Sequence, residues 1–183
     1  MPLQLHYIDE IIAARKALHG GGRGAPRLLA SNAGSQQAER VGAALNRSCI
    51  VLLSAVLQSF VEDVFKAEAR HRYQRLNTDP LFETYWKQMK MWGNPSDENV
   101  TALFLRIGIP DVFAGLSWQR TPTAAIKKKL RHLNQIRNGI AHGNAHLRVD
   151  NANYSLTMAK IENFRNFAEA FGDRFEAHVQ GFR

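Results

Sequence analysis

The stretch Cys49-Ile50-Val51-Leu52-Leu53-Ser54-Ala55-Val56-Leu57-Gln58-Ser59-Phe60-Val61-Glu62-Asp63-Val64-Phe65 decides the architecture. Wound as a helix it is apolar almost all the way round, which predicts burial on more than one side, against other helices or a second copy of the chain. Around it, from Gln36 to Leu76, the composition is helix-forming, with Gly42 the single glycine, no proline, and Ser35 available as N-cap. At ~1.5 Å per residue such a helix runs to roughly 60 Å, against the ~40 Å expected across a domain of this size, so it either kinks or projects.

Working outward toward the N-terminus, Leu5, Ile8, Ile12 and Leu18 recur at helical spacing and predict a helix over 3–18. The glycines and Pro26 of 19–26 cannot sustain it, so 19–35 reads as a flexible connection. Toward the C-terminus, Asp79-Pro80 starts a helix that ends near Met91 before Gly93, and Ser96 caps a short one that ends before Gly108. Thr121-Pro122 opens a helix striped by Ile126, Leu130, Leu133 and Ile140, which runs to about Ala141 where Gly143 supplies a stop. Leu147, Val149, Tyr154 and Leu156 alternate about Asn151-Ala152-Asn153, as either a small hairpin or an extended loop. Thr157 precedes a last helix with Ile161, Phe164, Phe167, Ala168, Phe171, Phe175 and Val179 on one face. Five to six helices with at most a minor β-hairpin near 147–156 predict an all-α antiparallel bundle, and 1–183 reads as one domain.

The 183 residues are 45% apolar and 22% charged, a composition that folds and buries a core. The longest nearly uninterrupted apolar run, Cys49 to Leu57, is broken by Ser54 and falls short of the ~20 residues a bilayer requires, so no membrane contact is expected. The N-terminal residues do not read as a secretory signal, and the single Cys49 excludes an internal disulfide, which points to the cytoplasm. A net charge of +8 favours a polyanionic partner.

That charge is concentrated. From Val112 to Val149 there is no Asp or Glu, while Arg120, Lys127, Lys128, Lys129, Arg131, Arg137 and Arg148 supply seven positive charges. Either this is a solvated face whose counter-charges come from elsewhere in the fold, or it is a phosphate-binding surface with salt-sensitive affinity. Arg70, Arg72 and Arg75, interleaved with His71 and Tyr73, would extend such a surface with a stacking ring.

Inside the acid-free stretch lies Arg137-Asn138-Gly139-Ile140-Ala141-His142-Gly143. This resembles the HEPN superfamily, helical-bundle proteins found as ribonucleases in toxin–antitoxin and defence systems and in RNA processing, whose motif is Arg-x4–6-His with a polar residue often directly after the Arg. Arg137 and His142 match the motif, Asn138 fills the polar place, and the Ile-Ala-His-Gly ending is similar to the RiboL-PSP type. The resemblance implies an endoribonuclease in which two protomers bring their motifs together across a two-fold axis into one composite cleft. It implies cleavage without metal or other cofactor, by attack of the 2′-hydroxyl, leaving a 2′,3′-cyclic phosphate and a 5′-hydroxyl. If the protein is a toxin, a cognate antitoxin is implied as a partner beside RNA.

The residue types suit that chemistry. RNA carries its own nucleophile, so cleavage needs a proton carrier near neutral pH and a fixed cation on the phosphorane-like transition state. Imidazole supplies the first at His142, and a forked guanidinium the second at Arg137. Asn138 and His142 are four apart and share a helical face, whereas Arg137 and His142 are about 140° apart around the helix, so one copy alone places the pair imperfectly. The bland reading makes Arg137 an ion-pair or carbonyl-capping residue and His142 a C-cap favoured by the helix dipole. A rival of another class is a non-catalytic module that binds nucleic acid or protein through the cationic helix.

Glu62 and Asp63 are carboxylates inside an apolar run; Glu62 either pairs with Lys66 on its own helix, or one of the two holds Arg137 from behind. His142 and His146 lack a third ligand, so no metal site is expected. Gly21-Gly22-Arg23-Gly24 matches a GxxG loop without the surrounding strands that KH-type clamping needs, and neither a Walker A nor a GxGxxG motif occurs. Cys49, in the buried stretch, reads as packing.

Overall fold

The computed structural model describes residues 2–18, 42–89 and 92–183. In chain order these form α1 (His6–Ala17), α2 (Ala43–Arg72), a 3-10 turn (Gln74–Leu76), α3 (Asp79–Met89), α4 (Asp97–Leu105) and α5 (Thr123–Ala141). The hairpin of β1 (Leu147–Val149) and β2 (Ala152–Tyr154) follows, then α6 (Met158–Gln180). The fold is all-α with a minor two-stranded sheet. The expected connection over 19–35, its GxxG segment, the Ser35 cap and the Met91 helix end lie outside the described residues.

Among the described residues the long helix is shorter than the 36–76 span read from the sequence. α2 has 30 residues, about 45 Å at 1.5 Å each. It starts after Gly42, whose φ of +80° suits glycine, and stops at Tyr73, which leaves helical geometry (φ −111°, ψ 79°) before the 3-10 turn. It packs against α1, α5 and α6, with Ile50, Leu53, Leu57, Val61 and Phe65 fully enclosed. α2 also corrects the reading that no segment is long and apolar enough to cross a membrane: by length and composition it contains one such 18-residue window. Counting only uninterrupted apolar residues overlooked it. Half of that window is buried within the bundle, as in the central helix of a packed core.

The core is aromatic where three helices meet. Phe171 and Phe175 of α6 stack with centroids 4.6 Å apart, Phe104 of α4 meets Phe175 edge-on at 5.6 Å, and Phe65 of α2 meets Phe104 edge-on at 5.6 Å. At the far end of α2 the carboxylate of Glu68, 1% exposed, accepts from Arg72 Nε at 2.8 Å and from Arg183 Nε at 3.0 Å. Arg72 also donates to the Phe182 carbonyl at 2.8 Å, which locks the C-terminal residues onto α2.

The caps expected from sequence form locally. Ser96 Oγ accepts from the Asn99 N–H, and Thr157 Oγ1 from the Lys160 N–H. Of the two options for 147–156 the hairpin is realised, with the turn at Asp150-Asn151 (φ 49° and 64°), one residue ahead of the expected Asn151-Ala152-Asn153. Leu147 pairs with Tyr154 and Val149 with Ala152, and both Leu147 and Val149 are buried.

Candidate functional site

α5 builds the site. Ile126, Leu130, Leu133 and Ile136 form its buried seam, and Arg137 and Asn138 follow at the edge of that seam, half-buried. Gly139 lies against β1: a Cβ there would stand 3.1 Å from Leu147 Cδ2, close enough that the leucine would have to shift. The helix ends in a Schellman turn, with the Gly143 N–H on the Ile140 carbonyl and the Asn144 N–H on the Gly139 carbonyl, both at 3.0 Å. The turn requires the left-handed φ of +68° that Gly143 adopts. His142 is thereby the C-cap residue, off helical geometry (φ −84°, ψ 6°) and exposed, its N–H bonded to the Asn138 carbonyl at 3.0 Å. Arg47 of α2 donates to the Ala145 carbonyl at 3.2 Å and ties the segment after His142 to the bundle.

The cations of α5 divide into two groups. Lys127 pairs with Asp111 at 3.0 Å, Lys128 with Asp150 at 3.7 Å, and Arg131 with Asp97 at 2.6 Å and Glu98 at 3.9 Å. The hydrogen bond that Arg131 donates to Asp97 raises its guanidinium above the ordinary arginine value. Lys129 lies 5.1 Å above the Phe164 ring, and burial holds its ammonium below the usual lysine value. The counter-charges of the acid-free stretch therefore come from its two borders and from α4. Arg137 differs: among the described residues no carboxylate comes within 4 Å of it, and its guanidinium donates only to Asn138 Oδ1, at 3.3 Å.

The remaining candidates sit as follows. Arg70 lies over the Phe82 ring at 4.2 Å and reaches Asp79 at 3.4 Å, while Arg72 is turned inward onto Glu68. Glu62 makes neither of its two expected partnerships. Lys66 is instead 4.5 Å above the Trp86 ring, and Glu62 Oε1 accepts from Trp92 Nε1 at 3.1 Å and Gln58 Nε2 at 3.3 Å. Asp63 is exposed. Cys49 is buried, and its thiol is pushed up to about 11 by that burial and by Asp9. Among the described residues no three His, Cys, Asp or Glu side chains gather as a metal site would require.

One member of the site escaped the sequence reading. Asn94 Nδ2 donates to Asn138 Oδ1 at 3.0 Å, from a loop that carries no periodic signal and lies 44 residues away in the chain.

Fold and site together define a class: an all-α bundle presenting a guanidinium and an imidazole at the end of one helix. The model of the RiboL-PSP-HEPN family matches residues 27–180, and the chain belongs to that family. No curated protein and no solved structure matches it. Membership points to a ribonuclease-type or nucleotide-related function.

Proposed function

We propose that the protein is a metal-independent endoribonuclease of the cytoplasm, with His142 as general acid/base, Arg137 as the cation on the phosphate and transition state, and Asn138 as its orienting neighbour. The observation that carries this reading is the contrast along α5. Lys127, Lys128 and Arg131 are engaged by carboxylates, whereas Arg137 keeps its charge uncommitted five residues ahead of an exposed imidazole. A guanidinium held by an amide oxygen retains donors for phosphate oxygens. In the reaction the 2′-hydroxyl loses its proton as its oxygen attacks the adjacent phosphorus, the bond to the 5′-oxygen breaks, and that oxygen takes up a proton. The products are a 2′,3′-cyclic phosphate and a 5′-hydroxyl.

The cleft in this proposal is shared by two copies of the chain. Ser48, Val51, Ala55 and Ser59 form an exposed, uncharged stripe on α2, the helix whose Arg47 grips the segment after His142. Small side chains let two such helices approach closely, and a two-fold axis there would supply an Arg and a His from each protomer. A role as the toxin of a toxin–antitoxin pair or in defence, with a cognate antitoxin masking the cleft, fits the same proposal.

The test is RNA cleavage by the full chain with its ends analysed. His142→Ala and Arg137→Ala are each expected to reduce the rate by at least about 10²-fold, with wild-type cleavage unaffected by EDTA. Undiminished cleavage by His142→Ala overturns the assignment, and RNA binding without cleavage by the wild type favours a non-catalytic module.

A further inference from the structure

Residues 92–96, between α3 and α4, form a strap bound at one end to α2 and at the other to α5. Trp92, 6% exposed, donates its indole N–H to Glu62 of α2. Gly93 takes φ +90°, and a Cβ there would fall 2.8 Å from Asn99 Nδ2, so glycine alone fits. The Asn94 carbonyl accepts from the Ser96 N–H at 2.7 Å and from Asn99 Nδ2 at 2.8 Å, which fixes the backbone of Asn94 independently of its side chain. That side chain meets Asn138.

The amide orientations follow from chemistry. A guanidinium has donors only, so the Asn138 atom that faces Arg137 is its oxygen, and the Asn94 atom that faces the same oxygen is its nitrogen. Both lone pairs of Asn138 Oδ1 are then occupied. What Asn138 retains is its NH2 group, for which no described residue is an acceptor.

We propose that Asn94 is a positioning residue: anchored through the strap to Glu62, it commits the Asn138 oxygen to Arg137 and leaves the Asn138 amide as a hydrogen-bond donor to the phosphodiester of a bound RNA. This rests on the ribonuclease reading. Arg137 is a long side chain with much rotamer entropy, and holding it before substrate arrives removes that ordering from the reaction step. Glu62 thereby acts on the motif from a distance, through Trp92 and Asn94 rather than by touching Arg137.

Asn94→Ala and Asn94→Asp test it, the first deleting the donor and the second replacing it with an acceptor of the same size while the backbone bonds of the strap remain. Single-turnover cleavage is expected to fall roughly 10- to 100-fold, with substrate affinity changed far less. The thermal midpoint should stay within about 4 °C of wild type, the scale of one lost hydrogen bond. In Asn94→Asp the rate relative to wild type should recover as pH is lowered toward about 4, where the new carboxyl gains a proton to donate. Independently of cleavage, the Asn138 side-chain amide should show a single, well-ordered pair of resonances in wild type that becomes averaged over several orientations in Asn94→Ala, because two donors fix its oxygen in the first and one in the second. A wild type that cuts RNA and an Asn94→Ala variant that cuts it equally fast overturn the strap's role. An inactive wild type whose Asn138 amide still loosens in Asn94→Ala overturns the nuclease reading and leaves the strap standing.

Discussion

Arg137 and Arg131 lie six residues apart on one helix, and the difference between them is a carboxylate. Arg131 has Asp97 at 2.6 Å; Arg137 has an amide oxygen. The same accounting explains Arg72, which the sequence places among surface cations and the fold places on the buried Glu68. Glu68→Gln should destabilise the protein by about 3 kcal/mol in denaturant unfolding, the low end for a broken buried pair because both guanidiniums retain water. Arg72→Ala should lower stability as well. Cys49, with its thiol at about 11, should resist a thiol reagent at pH 8 in the native protein and react at once in denaturant. The Arg137, Asn138 and His142 candidates could be named from the sequence because their spacing is local to one helix end. Asn94 was not, because what brings it to Asn138 is the docking of a loop.

At the scale of elements, the end of α5 is where conformation and chemistry meet. Gly143 has open space around it, so Gly143→Ala is penalised only by its left-handed φ, about 1–2 kcal/mol. A larger loss of cleavage than of stability is expected there, since the turn that relaxes is the one that presents His142. The hairpin is clasped to α5 by charge. His132 Nε2 is 2.8 Å from Asp150 Oδ2, and the hydrogen bond from His132 holds the Asp150 carboxyl below the usual aspartate value. A depressed carboxyl contributes stability above its unfolded value and loses it as pH falls through the folded one. Asp150→Asn, which tolerates the same left-handed backbone, should therefore be less stable than wild type near pH 6, with the difference vanishing well below pH 4 in urea titrations. The helices, their caps and the Gly143 stop could be read in advance because each depends on residues within a turn of one another. The hairpin's turn was displaced by one residue because Asp150 and Asn151 both accept positive φ, which alternation of apolar residues does not register.

At the scale of the whole molecule, the exposed stripe on α2 carries the expectation of assembly. Val51→Arg should leave a folded monomer by sedimentation and circular dichroism and abolish cleavage, because a composite cleft cannot form from one copy. A monomeric wild type that cleaves RNA would remove the shared cleft while sparing the assignment of His142.

Legible along the chain alone were the order of the helices, the Ser96 and Thr157 caps, the Gly143 stop, the aromatic face of α6 and the contiguous Arg137–His142 motif, while the long helix read over 36–76 is Ala43–Arg72 among the described residues. Each of these follows from spacing along a single segment. Which charges find a counter-charge depends instead on how the helices pack. The acid-free stretch is bracketed by Asp111 and Asp150, and with Asp97 from α4 these engage Lys127, Lys128 and Arg131, while Arg137 is left with an amide oxygen. Pairing of charge depends on which faces are brought within a few ångströms, and Coulomb attraction at that range is indifferent to separation along the chain.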